Sequence, residues 1–241
     1  MKNLIFGLIA IVTMSTSTIF AQNCQISVSG NNPRWDKIDS KEVARLHNEY
    51  LIEALKISTE NIKLSKKEVY MMLNFPTVSK EAKSCIFDNI SNVTVEYMNS
   101  IIIKNFKNNK SSLIYNEILN TVSKSVNYND LNKNLSIIRN NINLEVSGND
   151  KDILLSCLET GLASSYVWYS REDGGSGLGY NYLSLNNISG SPQARTKVEK
   201  DLAGAGYGMV CWSFSAAFGP VGAAGFLYGA ISGAVCSSFL P

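Results

Sequence analysis

His47 is the only histidine among 241 residues, so any Ser-His-Asp relay or imidazole-based proton transfer must run through it. No Gly-x-Ser-x-Gly elbow accompanies it, and a metal centre needs several converging ligands that no spacing in this chain supplies. His47 sits beside Leu46 at the edge of an apolar stripe, three residues before Tyr50. A hydrogen-bonded histidine at the margin of a core is expected there. Glu49 follows, and with Glu53 one helical turn later it forms a carboxylate pair of the kind used in acid-base work. A solvated helix face explains that pair better. His47 and Glu49 are therefore the functional candidates, and neither a catalytic set, a cofactor site nor a metal site is predicted.

The run Asp173-Gly174-Gly175-Ser176-Gly177-Leu178-Gly179 has the glycine content of a phosphate-cradling loop. Such a loop belongs between a strand and a helix, and no strand pattern precedes this one, so a flexible connector over 171–197 is expected. Five cysteines, Cys24, Cys85, Cys157, Cys211 and Cys236, contain no CxxC pair, and their odd number leaves at least one unpaired within a monomer. A net charge of +2 argues against both a nucleic-acid binder and a polybasic membrane patch.

The elements that must position these residues read as helices almost throughout 36–171. Asp39 with Glu42 has the spacing of a capping box, followed by Val43, Leu46, Tyr50, Ala54 and Ile57 at intervals of three and four. Ser65 with Glu68 marks a second helix start, and Ser79 a third, opening a helical stretch that kinks near Asn92 and runs to Phe106. Helices are expected over 113–126, 131–146 and 151–170, the last capped by Asn149 or Asp150 and ending in the aromatic cluster Tyr166, Trp168 and Tyr169. Glu199 and Asp201 fall near the expected start of the next helix, where they suit its dipole.

From Leu202 to Pro241 there is no charged side chain. Gly219-Pro220 divides this tail into two arms, because proline cannot continue a helix and biases its predecessor away from one. Gly204, Gly208, Cys211 and Ser215 share one stripe of the first arm; Gly222, Gly225, Gly229, Gly233 and Cys236 share one stripe of the second. Each helical glycine costs about 1 kcal/mol relative to alanine, which makes sense where two backbones must approach closely. Gly204, Gly208, Ser215, Gly222, Gly225, Gly229 and Gly233 are thus read as helix-packing or membrane-contact positions. With the thin faces together, Tyr207, Val210, Phe214 and Phe218 on one arm and Leu227, Ile231, Val235 and Phe239 on the other need an apolar cover. The body of this protein, a bilayer or a second copy would each provide one. If the turn lies at Gly219-Pro220, Cys211 and Cys236 stand about 12 Å apart along the helix axes, too far for a direct bridge, so a bond from Cys236 would go to Cys24, Cys85 or Cys157.

Residues 1–21 read as a secretory signal peptide: Lys2 precedes a short apolar core, Leu4 to Val12, and Ile19-Phe20-Ala21 is a plausible cleavage site. Export to the periplasm, outer envelope or extracellular space is expected.

Three patches carry a resemblance: Leu46-His47-Asn48-Glu49, Ser164-Ser165-Tyr166-Val167-Trp168, and Asp201-Leu202-Ala203-Gly204-Ala205. Together they resemble a loose group of small exported bacterial proteins, many from Bacteroidota, which implies an architecture and no reaction. The tail is also similar to the glycine-zipper helices of two-peptide bacteriocins, although the long helical region ahead of it departs from that pattern. The expected architecture is all-α: a signal peptide (1–21), a helical bundle body (22–170), a Gly/Ser/Asn-rich connector (171–197) and a glycine-zipper helical hairpin (198–241). A non-enzymatic envelope or secreted interaction protein with its hairpin in the core is the first functional expectation. A membrane-active protein that inserts the hairpin is the second. A membrane or protein partner is expected, nucleic acid and cofactors are not.

Overall fold

The structure is a computed structural model that describes residues 39–61, 63–75, 78–188, 190–213, 231 and 233–239. These residues are helical, with no strand among them. In chain order the helices are α1 (Ser40–Glu60), α2 (Lys66–Met72), α3 (Lys80–Ile90), α4 (Val95–Asn105), α5 (Asn109–Lys124), α6 (Tyr128–Glu145), α7 (Gly148–Trp168), α8 (Leu178–Leu185) and α9 (Ser191–Ser213). Residues 233–238 form a further helical segment. The all-α expectation is met.

Local sequence explains most helix starts. Asp39 caps α1 by accepting from the Lys41 amide, while Glu42 turns outward to Arg45 instead of closing the expected capping box. Ser65 and Glu68 do close theirs at α2. The single kinked helix expected from Ser79 to Phe106 is two helices, because Thr94 leaves helical geometry (ψ 158°) and accepts from the Tyr97 amide, starting α4 afresh. Asp150 caps no part of its own helix. Its carboxylate accepts from the Lys107 and Asn108 amides and from the Ser111 hydroxyl, and so covers the start of α5 from α7.

Helix α7 is the hub, buried over most of its length among α1, α5, α6 and α9. A helix in that position needs no fully polar face: Ile153, Leu154, Leu158, Val167 and Trp168 cover one half of its circumference, and buried Leu162, Glu159 and Ser156 lie on the other. Glu159, buried near its middle, is neutralised by a two-pronged contact with Arg139 of α6, at 2.6 and 2.8 Å. Helix α9 lies along α7 with Leu202 over Gly161 and Gly206 against Cys157.

The region 171–197 is not the open connector expected from its composition. It contains α8 and the start of α9, and its glycines are sites of close packing: a Cβ at Gly179 would strike the Trp168 ring, and one at Gly175 the Tyr169 carbonyl. Gly177 has φ +77°, a left-handed conformation that glycine adopts without strain, and so lets the chain turn into α8.

Helix α9 also begins earlier than expected, at Ser191. Along it, a Cβ on Gly204 would lie 2.5 Å from the Gly233 carbonyl oxygen, and one on Gly233 would lie 2.5 Å from the Gly204 oxygen and 3.7 Å from the Gly208 Cα. Ser237 meanwhile donates to the Lys200 carbonyl at 2.8 Å. Contacts that rise in number on one helix as they fall on the other make 233–239 antiparallel to α9. Of the large side chains expected to need a cover, Tyr207, Val210, Ile231, Val235 and Phe239 are buried against the body, Tyr207 edge-on to Tyr97 of α4, while Phe214, Phe218 and Leu227 lie outside the described residues. Ser215, Gly222, Gly225 and Gly229 lie outside the described residues. Among the described residues no helix is long and apolar enough to cross a membrane.

Candidate functional site

The stripe on α1 turns His47 inward, and the antiparallel packing of α7 and α9 brings Ser164, Trp168 and Asp201 to the same point. Both His47 and Asp201 are completely buried. Asp201 Oδ2 accepts from Ser164 Oγ at 2.6 Å and from Trp168 Nε1 at 2.9 Å, while Asp201 Oδ1 accepts from Ser238 Oγ of the C-terminal segment. His47 Nε2 stands 3.5 Å from Asp201 Oδ2, within reach of an ion pair but outside hydrogen-bond geometry. Its other nitrogen, Nδ1, lies 3.2 Å from Asn48 Oδ1, and Asn48 in turn donates to the Ala163 carbonyl at 2.8 Å. The three patches on which the resemblance rests thus meet around one carboxylate, joined there by Ser238.

The charge environment is lopsided. Lys197, one turn before Asp201, donates to the Ser238 carbonyl at 2.7 Å and stands 6.0 Å from the centre of the Trp168 ring. Burial, reinforced by neighbouring Lys200, lowers its pKa to about 8, although Asp201 pulls the other way. Lys200 and Lys66 are lowered too, mainly by desolvation.

A serine, a histidine and an aspartate are therefore adjacent, yet they are not wired as a relay. In an acyl-transfer triad the histidine stands between the other two, taking the serine proton on one nitrogen and contacting the acid through the other. Here Ser164 and His47 both point at the same carboxylate oxygen, both side chains are fully buried, and among the described residues no serine-to-histidine bond joins them. The arrangement fastens α1, α7, α9 and the C-terminal segment to one another.

Of the two functional candidates, His47 lies deeper than the core margin expected for it, and Glu49 faces solvent in a 2.7 Å ion pair with Arg45. The two are not brought together. The Asp201 centre itself was missed in the sequence because α9 was expected to begin near residue 198, which made Asp201 a first-turn residue on a helix dipole. Ser191-Pro192 was the signal that corrects this, proline being favoured in the first turn of a helix. It would have placed Asp201 in mid-helix, one turn after Lys197.

Trp168 and Tyr169 are core residues, whereas Tyr166 is half exposed and packs on Tyr128. Cys157 and Cys236 are buried thiols whose pKa is pushed well up by desolvation. The bond considered for Cys236 is therefore not made. Among the described residues no His, Cys, Asp and Glu side chains are grouped to hold a metal ion. Comparison with protein-family models, curated proteins and solved structures yields no match.

Proposed function

We propose that this chain is an exported, non-enzymatic helical protein of the kind it resembles, acting by surface recognition of a protein partner in the envelope or outside the cell. Its region 198–241 is a glycine-zipper hairpin that serves as an internal strut. The observation that carries the reading is the reciprocal approach of Gly204 and Gly233, with Tyr207, Val210, Ile231, Val235 and Phe239 buried in the body. A hairpin poised to enter a bilayer would be expected to keep one apolar face free. The Asp201 centre supports the same reading, since it ties the C-terminal segment to α1, α7 and α9 through a carboxylate that would be costly to expose unpaired in hydrocarbon.

Sedimentation with liposomes of neutral and of anionic composition tests this. The folded protein is expected to stay in the supernatant with both, and Gly233→Leu is expected to unfold in the absence of lipid. Tight association of the wild-type chain with vesicles, lost in a Gly233→Leu variant that remains folded, would establish the membrane-active alternative instead.

A further inference from the structure

A cavity of about 220 Å³ opens where the end of α1, the start of α2, α8 and the C-terminal segment meet. We propose that it binds a free α-amino acid with an apolar side chain, such as leucine or phenylalanine, a role that does not depend on recognition of a protein partner.

The apolar part of the lining is preformed. Val69 and Phe239, nearly fully buried, make its base, while Leu64 and the exposed Leu185 stand nearer the mouth. Tyr182 is edge-on to both Phe239 and Trp168, with ring centres 6.1 and 6.5 Å apart, which fixes the aromatic side of the wall. The volume falls below the roughly 300 to 1,000 Å³ of sites that take drug-sized molecules, so the ligand is small.

The polar part of the lining asks for two opposite charges. Lys66 brings an ammonium group to the cavity, and among the described residues no carboxylate is paired with it. A cation beside apolar walls without a counter-ion suits a ligand carboxylate. Helices α1 and α8 both end at the cavity, through Ser58 and Thr59 on one and Leu185 and Asn186 on the other, and neither has a basic residue in its last turn. Each helix end carries about half a negative charge, which attracts a cationic group. The hydroxyl protons of α1 are already spent, Ser58 on the Ala54 carbonyl at 2.8 Å and Thr59 on the Leu55 carbonyl at 2.9 Å. Both side chains therefore offer a ligand lone pairs only, and an ammonium group supplies the protons. A fatty acid would leave these acceptors unmatched, and a simple amine would leave Lys66 unmatched. An apolar amino acid in its zwitterionic form matches the cation, the acceptors and the apolar base together.

Calorimetric titration of the full chain with L-leucine and L-phenylalanine tests the proposal. Saturable one-to-one binding of at least one of them is expected, and glycine, which lacks the side chain, should give no binding heat. N-acetyl-leucine has no ammonium group and leucinamide no carboxylate, so each should bind at least about tenfold more weakly than leucine. Lys66→Met, at an exposed position, should weaken leucine by about tenfold or more without weakening leucinamide, a contrast that general damage to the fold would not produce. Leu185→Glu, which sets a charge at the apolar mouth, should also weaken leucine while leaving the circular dichroism spectrum unchanged. Failure of both amino acids to bind the wild-type chain overturns the proposal. So does N-acetyl-leucine or leucinamide binding as tightly as leucine, or a Lys66→Met variant with unaltered leucine affinity.

Discussion

Asp201 is a mid-helix acid whose three donors, Ser164, Trp168 and Ser238, come from two other elements. Asp201→Ala leaves those buried donors without an acceptor, and each unpaired group costs about 1 to 3 kcal/mol. A loss of about 3 to 5 kcal/mol is expected in urea unfolding, seen as a lower midpoint at an unchanged slope. A loss below about 1 kcal/mol would mean that the centre adds little to stability. Lys197 sets a second prediction at this scale. Its pKa is about 8 in the folded chain, below the ordinary lysine value of 10.5, because burial disfavours the ammonium form. Between those values the unfolded chain binds the extra proton, so this residue makes stability rise as pH rises through the window. The wild type should therefore gain about 1 to 2 kcal/mol on Lys197→Met between pH 7.5 and 9.5, at 1.36 kcal/mol per pKa unit at most. Parallel stability curves for the two proteins would rule this out.

At the level of elements, the glycines separate into those that permit contact and those that permit a turn. Gly204 and Gly233 have no room for a Cβ, each facing the other's backbone, so Gly204→Val must push α9 and the C-terminal segment apart. A cost of at least about 3 kcal/mol is expected from thermal or urea unfolding without lipid, at or above the upper end for overpacked cores. Gly148, at φ +62° with open space around its Cβ position, should lose only about 1 kcal/mol on change to alanine, the backbone penalty alone. If the two substitutions cost the same, the close approach is not what holds the segment. Ser65→Ala provides a local comparison: removal of the capping box at α2 should cost about 1 kcal/mol.

At the scale of the molecule, α7 packs on α1, α5 and α6 and also on α9, so among the described residues α9 shares one core with the body. Calorimetry should give one transition, and hydrogen exchange should find the slowest amides in α7 and α9 together. Exchange in 233–238 that is fast while α7 stays protected would show the C-terminal segment to be a detachable unit.

Helix placement was legible in the sequence to the extent that apolar spacing and caps are local properties: the faces of α1, α5 and α6 and the capping box at Ser65 follow from residues a few positions apart. The small-residue stripe placed Gly204, Gly208 and Gly233 together on spacing alone; the described residues include the close approach of Gly204 and Gly233, and leave Ser215, Gly222, Gly225 and Gly229 outside the description. What no window of sequence contains is the partner across space. Asp150 reads as the cap of its own helix until α5 is seen above it, Asp173 to Gly179 reads as slack chain until Trp168 and Tyr169 are seen beneath it, and His47 and Asp201 are 154 positions apart. A hydrogen bond is satisfied by proximity in three dimensions, whatever the separation along the chain, so the tertiary structure alone decided which polar residues would be buried together and that they would serve as a fastening.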